Sequence, residues 1–254
     1  MRRLRRWALT LLLLALFVGA WQLVASLPGV DRLILASPGE TARALGHDRS
    51  LLFDNAWTTL EEALLGLAVA VVFGVLAAIG MHLVRPLRDA AYPLLVASQA
   101  IPVVVFAPLL VLAFDYGIGP KVAIVALICF FPVTVNMLDG LRATDPDLLK
   151  LMRSLGASRL QTLRKVELPA SLPYFFSGVR LAATVSVIGA VFGEWAGAEG
   201  GLGWLVLNAT HQLETPRTYA GVVLLTAMAV ALFALVTLLE RVAVPWNRQG
   251  GRTA

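Results

Sequence analysis

The sequence contains six long apolar stretches, separated by shorter segments that hold most of the charged residues. A helix needs about 20 predominantly apolar residues to cross a bilayer. The stretches cover residues 7–26, 60–84, 91–113, 120–141, 174–195 and 218–240. The pattern therefore predicts an all-α integral membrane protein with six transmembrane helices. The chain is predicted to consist of an N-terminal transmembrane helix (1–26), an external connection (27–59), a core of five transmembrane helices (60–241) and a cytoplasmic tail (242–254).

The two ends of the predicted helices differ in charge. One set of ends and loops is rich in arginine and lysine: Arg2, Arg3, Arg5, Arg6, Arg85, Arg88, the group from Arg142 to Lys165, Arg241, Arg248 and Arg252. On the other side, the few basic residues are offset by acidic ones. Cytoplasmic loops of membrane proteins carry the excess of basic residues. Both termini and the loop 142–173 are thus predicted to be cytoplasmic, which requires an even number of spans.

The N-terminal stretch admits a second interpretation. Its arginines, its apolar run and the small residue Ser26 also describe a cleavable signal peptide. The run continues through Val24 and is long enough to span, so a retained helix is favoured. In the external connection, residues 37–39 are a turn sequence, and a short surface helix is expected from Glu40 to about Leu45.

Composition supports the bilayer as the solvent of this chain. Of its 254 residues 58% are hydrophobic and 15% charged, and the mean hydropathy is +0.78. That is more apolar surface than a soluble domain of this length buries. The net charge of +5 is placed on loops, as in membrane proteins, so lipid and not nucleic acid is the expected partner.

The loop 142–173 interrupts the membrane pattern with an amphipathic segment. Apolar residues recur about once per helical turn, at positions 148, 149, 151, 152, 155, 160 and 163. Arg153, Arg159, Arg164 and Lys165 make the opposite surface cationic. Gly156 lies in the middle, and Pro169 and Pro173 precede the next span. The pattern predicts a short helix pair outside the bilayer.

The sequence contains no group of residues spaced as in a known type of catalytic site. His47, His82 and His211 are scattered and have no metal-site spacing, so no metal and no cofactor is expected. A phosphate-binding loop of the form GxxxxGK[ST] is also absent from the sequence. The chain is therefore predicted not to be an enzyme and not to bind ATP in that manner.

Polar residues within the spans are candidates for a translocation path. We single out Gln99, Asn136, Ser186 and Glu194. Hydrogen bonding between helices is the alternative role for the uncharged three, and an interfacial position beside Trp195 is the alternative for Glu194. Pro102, Pro108 and Pro132 free backbone groups in the same region, which favours spans three to five as the path.

Small residues and charges mark the last two spans. Gly189, Gly193 and Gly197 place a small face on one helix, which permits close packing, and residues 199–203 should break that helix. Arg180 is interpreted as an anchor whose side chain reaches the cytoplasmic interface.

The loop resembles the cytoplasmic coupling loop of permeases of ATP-binding-cassette (ABC) importers. That family pattern is Glu-Ala-Ala, three residues, Gly, nine residues, an aliphatic residue, one residue and Leu-Pro. Gly156, Val166, Leu168 and Pro169 fall on this spacing, whereas residues 150–152 read Lys-Leu-Met in place of Glu-Ala-Ala. The similarity extends from about Thr59 to Arg241. It includes SQAIPVVVFAPLLVLAFDYGIGPK, CFFPVTVNMLDGLRATDPDLL and GEWAGAEGGLGWLVLNATHQLETPRTYAGVVLL, which are similar to nitrate, sulfonate, taurine and thiamine-pyrimidine-precursor permeases.

The resemblance implies partners and residue roles. It implies a type I importer fold in the bacterial inner membrane, a second permease subunit in a homodimer or pair, a separate ABC ATPase and a periplasmic or lipoprotein solute-binding protein. It implies that the ATPase contacts a set of loop residues: Leu151, Met152, Arg153, Leu155, Gly156, Arg159, Leu160, Leu168 and Pro169. A loop helix lying on lipid headgroups is the alternative. The resemblance implies import of a small polar solute, with a lean toward a pyrimidine.

Two other classes are weighed against the importer. An ion-coupled secondary transporter often has an acidic relay at mid-membrane or repeated halves, and neither is evident in the sequence. An intramembrane enzyme needs clustered His, Asp or Ser at one depth, which the sequence lacks.

The predicted topology can be tested with single cysteines in a Cys129→Ala background. Ser158→Cys lies in the loop predicted to be cytoplasmic, and Ser50→Cys lies in the connection predicted to be external. A membrane-impermeant thiol reagent should label the two positions from opposite sides. Labelling of both from the same side would contradict the six-span arrangement.

Overall fold

The computed structural model describes residues 2–29, 31–115 and 117–248, with side chains for 8–29, 31–115 and 117–246. This part of the chain is helical and contains no strand. The α-helices are α1 (Arg2–Ala25), α2 (Pro38–His47), α3 (Arg49–Leu83), α4 (Arg85–Ser98), α5 (Phe106–Phe114), α6 (Ile118–Arg142), α7 (Pro146–Ser154), α8 (Arg159–Thr162), α9 (Leu168–Trp195), α10 (Leu202–His211) and α11 (Thr215–Ala243). Short 3-10 helices cover Val103–Val105 and Pro245–Arg248, and a π-helix covers Leu163–Glu167. The predicted tail beyond residue 248 and the side chains of Arg2 to Arg6, Arg248 and Arg252 lie outside the described part.

The six predicted spans all coincide with helices. Five helices in the described part of the chain are long and apolar enough to cross a membrane, and α4 with α5 makes a sixth if the bent pair is one span. The all-α membrane fold predicted from the hydrophobic pattern is confirmed.

The third predicted span, 91–113, is not one continuous helix. The axes of the two limbs, Arg85–Ser98 and Val103–Phe114, differ by 81°. The break lies at residues 99–102 and ends at Pro102, which has no N–H to donate and disfavours helical geometry in the residue before it. The hydrophobic pattern could not show this bend, because both limbs are apolar.

Two boundaries also differ from the prediction. Helix α3 begins at Arg49 and not near residue 60, so that at 35 residues it is about 50 Å long. Polar residues such as Asp54 continue the helix beyond its apolar part, and hydropathy does not detect such an extension. Helix α9 begins at Leu168, before the predicted start of the span at 174, and passes through Pro173. Pro169 directly follows the π-helix, where the Leu168 N–H bonds to the Leu163 carbonyl five residues back and the regular helical hydrogen bonding is already interrupted.

The predicted surface helix is confirmed as α2. Ser37 forms a capping box with Glu40: the Ser37 Oγ accepts from the Glu40 N–H at 3.2 Å, and the Glu40 carboxylate accepts from the Ser37 N–H at 2.9 Å. The hydrogen bonds from Ser37 lower the pKa of Glu40 from its ordinary value. The turn sequence at 37–39 thus starts a helix through ordinary capping.

The contacts divide the chain into two compact units, Met1–Thr58 with Gly200–Thr226 and Thr59–Glu199 with Ala227–Ala254. In the first unit, the Thr215 hydroxyl donates to the Leu33 carbonyl at 2.6 Å, and the Arg217 Nε donates to Asp48 at 2.7 Å. The hydrogen bonds from Arg217 and then His47 hold the pKa of Asp48 below its ordinary value. Asp48 therefore remains ionised and paired at neutral pH.

In the second unit, α6 packs closely against α3 and α9 through glycines. A Cβ added at Gly66 of α3 would lie 2.4 Å from the Val125 Cβ. A Cβ at Gly178 of α9 would lie 2.6 Å from the Pro132 carbonyl oxygen. Gly189 and Gly193 approach the α6 backbone in the same way, as the sequence predicted. Gly197 does not, because it lies beyond the end of α9 with φ +154°.

An apolar cluster fills the end of this unit toward the loop. Ala78 and Met81 of α3, Met137, Leu138 and Leu141 of α6, and Leu163 of the π-helix are all buried there. Because Leu163 belongs to the loop segment, the same packing that holds α3 to α6 also anchors the loop.

The contact at Gly178 predicts a large effect of a small side chain. Gly178→Ala should lower the thermal unfolding midpoint in detergent, because overpacking against backbone costs about 1–3 kcal/mol. Gly19→Ala in α1 is the matched control, since a Cβ there meets nothing within 4 Å. Equal midpoints for the two variants would show that the α6–α9 contact is looser than described.

Candidate functional site

The loop between α6 and α9 forms the predicted pair of short helices. Asp145 caps α7 by accepting from the Asp147 N–H at 2.8 Å, and Ser158 forms a capping box with Gln161 at the start of α8. Between them Gly156 has φ +72°, a left-handed conformation that glycine adopts without steric cost. The Ala157 N–H bonds to the Met152 carbonyl and the Gly156 N–H to the Arg153 carbonyl, each at 3.0 Å. This is a Schellman turn, and it fixes the reversal of the chain.

The loop exposes apolar side chains on both sides of this turn. Leu151 and Leu155 of the first arm are 52% and 72% exposed, and Leu160 of the second arm is 57% exposed. Met152 is half-buried, and Arg153 and Arg159 are exposed beside these residues. Leu168 and Pro169 are half-buried in the first turn of α9. The loop therefore exposes a surface of leucine side chains that is bordered by arginines.

A buried polar contact joins the loop to α3. The His82 Nε2 lies 3.1 Å from the Glu167 Oε2 without making a hydrogen bond; Glu167 is buried and His82 is half-buried. Glu167 is the last residue of the π-helix, and His82 lies in the last turn of α3. The Arg159 guanidinium of α8 reaches the His82 carbonyl at 3.5 Å. Two parts of the loop thus contact one end of α3.

The start of α6 and the end of α9 meet α3 at a second group of polar and charged side chains. The Lys121 Nζ of α6 donates to the Glu62 carboxylate of α3 at 2.6 Å, and the Thr59 hydroxyl of α3 donates to the Glu194 carboxylate of α9 at 2.6 Å. Glu62 and Glu194 are each 1% exposed and interact with each other. We call Thr59, Glu62, Lys121 and Glu194 the Lys121 cluster. It connects the start of α6 and the end of α9 to the part of α3 around residues 59–62.

The predicted path residues are placed differently from one another. Glu194 belongs to the Lys121 cluster and is buried, not an exposed interfacial carboxylate. The Asn136 Nδ2 donates to the Pro132 carbonyl at 2.8 Å, and the Ser186 hydroxyl donates to the Ala183 carbonyl at 2.9 Å, each within its own helix. Gln99 lies at the α4–α5 break.

An open depression of about 360 Å³ lies beside that break, and Ser98 and Gln99 on its wall are exposed. We call it the break cavity. Ser98 and Gln99 from the end of α4 and Phe130 and Phe131 from α6 line it, together with aliphatic side chains. Of the four predicted path residues, Gln99 is the one that lines this cavity.

Sequence reasoning missed three side-chain pairs. His82 was seen only as a scattered histidine, Lys121 was not singled out, and Arg180 was interpreted as an interfacial anchor. In the structure Arg180 pairs with Glu240 of α11 at 3.0 Å. The signal available in the sequence was an ionisable residue inside an apolar run, which requires a partner. The sequence could not say which partner, because the paired residues are 59 to 85 positions apart.

The fold and the loop define a class: a multi-pass helical membrane protein with an amphipathic helix pair inserted between two spans. Residues 70–249 match the family "Binding-protein-dependent transport system inner membrane component", and the chain belongs to that family. It is thus an inner-membrane permease component of an ABC importer, as the loop motif predicted.

Relatives and a solved structure agree with this assignment. The chain is 37% identical to the formylaminopyrimidine transport permease protein ThiX of Halalkalibacterium halodurans, over 94% of this chain and 96% of that protein. It is also 37% identical to the riboflavin transport system permease protein RibX of Chloroflexus aurantiacus, over 94% and 88%. The fold is similar to a chain of the inward-facing MetNI methionine ABC transporter, with a TM-score of 0.69 and 18% identity over 77% of this chain and 97% of that chain. These relatives are transport permeases, and none supports the ion-coupled alternative.

The contact between His82 and Glu167 predicts a pattern of stability. His82→Leu and Glu167→Leu should each lower the thermal midpoint, since each leaves the other polar group without its neighbour at a cost of about 1–3 kcal/mol. The double variant should recover much of the loss, because neither polar group is then left alone. Glu61→Leu, at an exposed position of α3, is the control. Additive losses in the double variant would show that the two side chains do not interact.

Proposed function

We propose that this chain forms the translocation path of an ATP-driven importer and is coupled to a separate ATPase through the loop 142–173. The observation that carries the proposal is the exposed leucine surface on a rigid, capped helix pair. Exposed apolar residues of this kind, bordered by polar ones, are typical of a surface that docks a protein partner. The absence of a phosphate-binding loop from the sequence assigns ATP hydrolysis to that partner.

The proposed roles follow from exposure. Leu151, Met152, Leu155 and Leu160 enter a groove of the ATPase, and Arg153 and Arg159 lie at its border. Gly156 sets the angle between the two arms through its left-handed conformation. Leu168 and Pro169 begin α9 and so connect the docking surface to a transmembrane helix.

Movement of the loop would reach two spans. The π-helix continues directly into α9, and the contact between His82 and Glu167 connects it to α3. π-Helical segments occur frequently at functional positions in helices. A shift of the docked loop therefore moves α9 and α3 together, while the Lys121 cluster joins both helices to the start of α6. Asn136, Ser186 and Glu194 act in this picture at helix contacts near the path.

The other components of the importer complex are separate polypeptides. We infer a second permease subunit, an identical copy being the simplest arrangement, and a solute-binding protein that delivers the solute. The distribution of basic residues in the sequence supports a cytoplasmic position for both termini and the loop. Lipid covers the apolar surface of helices such as α1, whose leucines are exposed.

The relatives indicate the class of solute. Formylaminopyrimidine and riboflavin, named for the two relatives, are both nitrogen heteroaromatic compounds. We propose a solute of this class, with an aminopyrimidine as the first candidate and a sulfonate, taurine or nitrate as the runner-up.

The energy source and the coupling role can be tested together in vesicles. The chain combined with its ATPase and binding protein should accumulate an aminopyrimidine only when ATP is supplied on the loop side. Gly156→Val should lower solute-stimulated ATP hydrolysis roughly tenfold, because a β-branched residue with positive φ costs on the order of 1–2 kcal/mol. Radiolabelled uptake and phosphate release are the measurements.

Gly156→Asn is the matched control, since asparagine tolerates the left-handed conformation and a Cβ at this position meets nothing within 4 Å. It should retain most of the stimulation. The chain alone should neither hydrolyse ATP nor accumulate solute in response to an imposed proton gradient. Gradient-driven accumulation by the lone chain would overturn the proposal, and unchanged stimulation in Gly156→Val would remove the turn from the mechanism.

A further inference from the structure

The break between α4 and α5 places polar groups at the wall of an apolar cavity. The helix ends at Ser98, and the chain turns through residues 99–102 before α5 begins. Discontinuous helices of this kind form binding sites in membrane transporters, because the interrupted backbone and its neighbouring side chains face a cavity. The break cavity, at about 360 Å³, is large enough for a single- or double-ring solute.

The polar groups of the cavity belong to two residues. The Ser98 hydroxyl donates to the Leu95 carbonyl at 2.7 Å, and the Gln99 Nε2 donates to the Ser98 Oγ at 3.3 Å. In the described part of the chain, no hydrogen bond reaches the Gln99 Oε1. A primary amide has two N–H donors and one carbonyl acceptor. The Gln99 side chain thus has its Oε1 acceptor and a second N–H donor next to each other.

This pair of groups matches the edge of an aminopyrimidine. A ring nitrogen accepts one hydrogen bond while the adjacent exocyclic amino group donates another. Carboxamide side chains bind adenine through the same two-point pattern. Phe130 and Phe131 of α6 supply the aromatic surface on which a flat ring stacks.

The cavity also lacks the groups that an anion needs. Its described lining is aliphatic and aromatic apart from Ser98 and Gln99, with no charged side chain. A sulfonate or nitrate would find no counter-ion in this lining, whereas an uncharged heteroaromatic ring needs none. The lining therefore distinguishes between the two solute classes that the sequence left open.

We propose that the break cavity is a solute-binding site within the permease itself, specific for an uncharged planar nitrogen heteroaromatic ring. Gln99 recognises the ring edge and Phe130 with Phe131 contact its face. The proposal rests on the proposed importer function and goes beyond it, because selection then occurs in the membrane as well as in the binding protein.

The site can be measured without the binding protein. The permease–ATPase complex in lipid nanodiscs should bind radiolabelled 4-amino-2-methylpyrimidine at equilibrium, and methanesulfonate should not compete. Gln99→Leu should weaken binding about tenfold, because the ring edge loses both partners. Phe130→Leu should weaken it similarly through lost stacking. Phe114→Leu, which changes an exposed aromatic residue of α5, is the control and should bind as the unchanged complex does.

A second variant covers the case in which Gln99→Leu fails to fold. Gln99→Glu keeps the shape of the side chain but removes its N–H donors, and it should weaken binding to a similar extent. Vesicle transport distinguishes a failure of the proposed importer function from a failure of the site assignment. If the unchanged complex shows no ATP-dependent uptake, the proposed function fails. If uptake occurs but the Gln99 and Phe130 variants bind as the unchanged complex does, or methanesulfonate competes equally, the site assignment is overturned.

Discussion

The close approach of α6 to α3 and α9 holds these three helices together and limits how any of them can move. In a bilayer, helices gain little from the hydrophobic effect between them and are held by packing at short distance. Gly66 and Gly178 permit that distance, since a side chain at either position would collide with α6. Because α6 lies against both neighbours, any movement of α9 must be accommodated at the same contacts. This packing makes the three helices act as one body.

Polar and charged contacts connect the helices of that body at two places. The Lys121 cluster joins α3 to the start of α6 and the end of α9, and His82 with Glu167 connects α3 to the loop. Charged groups away from water are costly unless they are paired, so these contacts are specific: each group tolerates few alternative partners. Specific contacts of this kind suit a protein that must hold two defined arrangements of its helices and not a continuum of them.

The two regions that depart from regular helix are the two with proposed roles in transport. At the loop, Gly156 and the π-helix shape a surface for a partner. At the α4–α5 break, a bent helix opens a cavity beside Gln99. Both departures cost backbone hydrogen bonding or conformational freedom, and the packed core of α3, α6 and α9 supplies the rigidity that tolerates them. Solute recognition and ATPase coupling thus share one scaffold.

The number of apolar spans, the amphipathic loop, its turn at Gly156 and the family could be predicted from the sequence, because hydropathy and local motifs depend on residues within a few helical turns of one another. Gln99 could be predicted as a candidate, but the cavity beside it could not. The 81° bend, the length of α3 and the partners of His82, Lys121 and Arg180 emerged only from the folded chain. A pairing such as Thr59 with Glu194 spans 135 positions, and which of many polar residues meet is fixed only by how the helices pack.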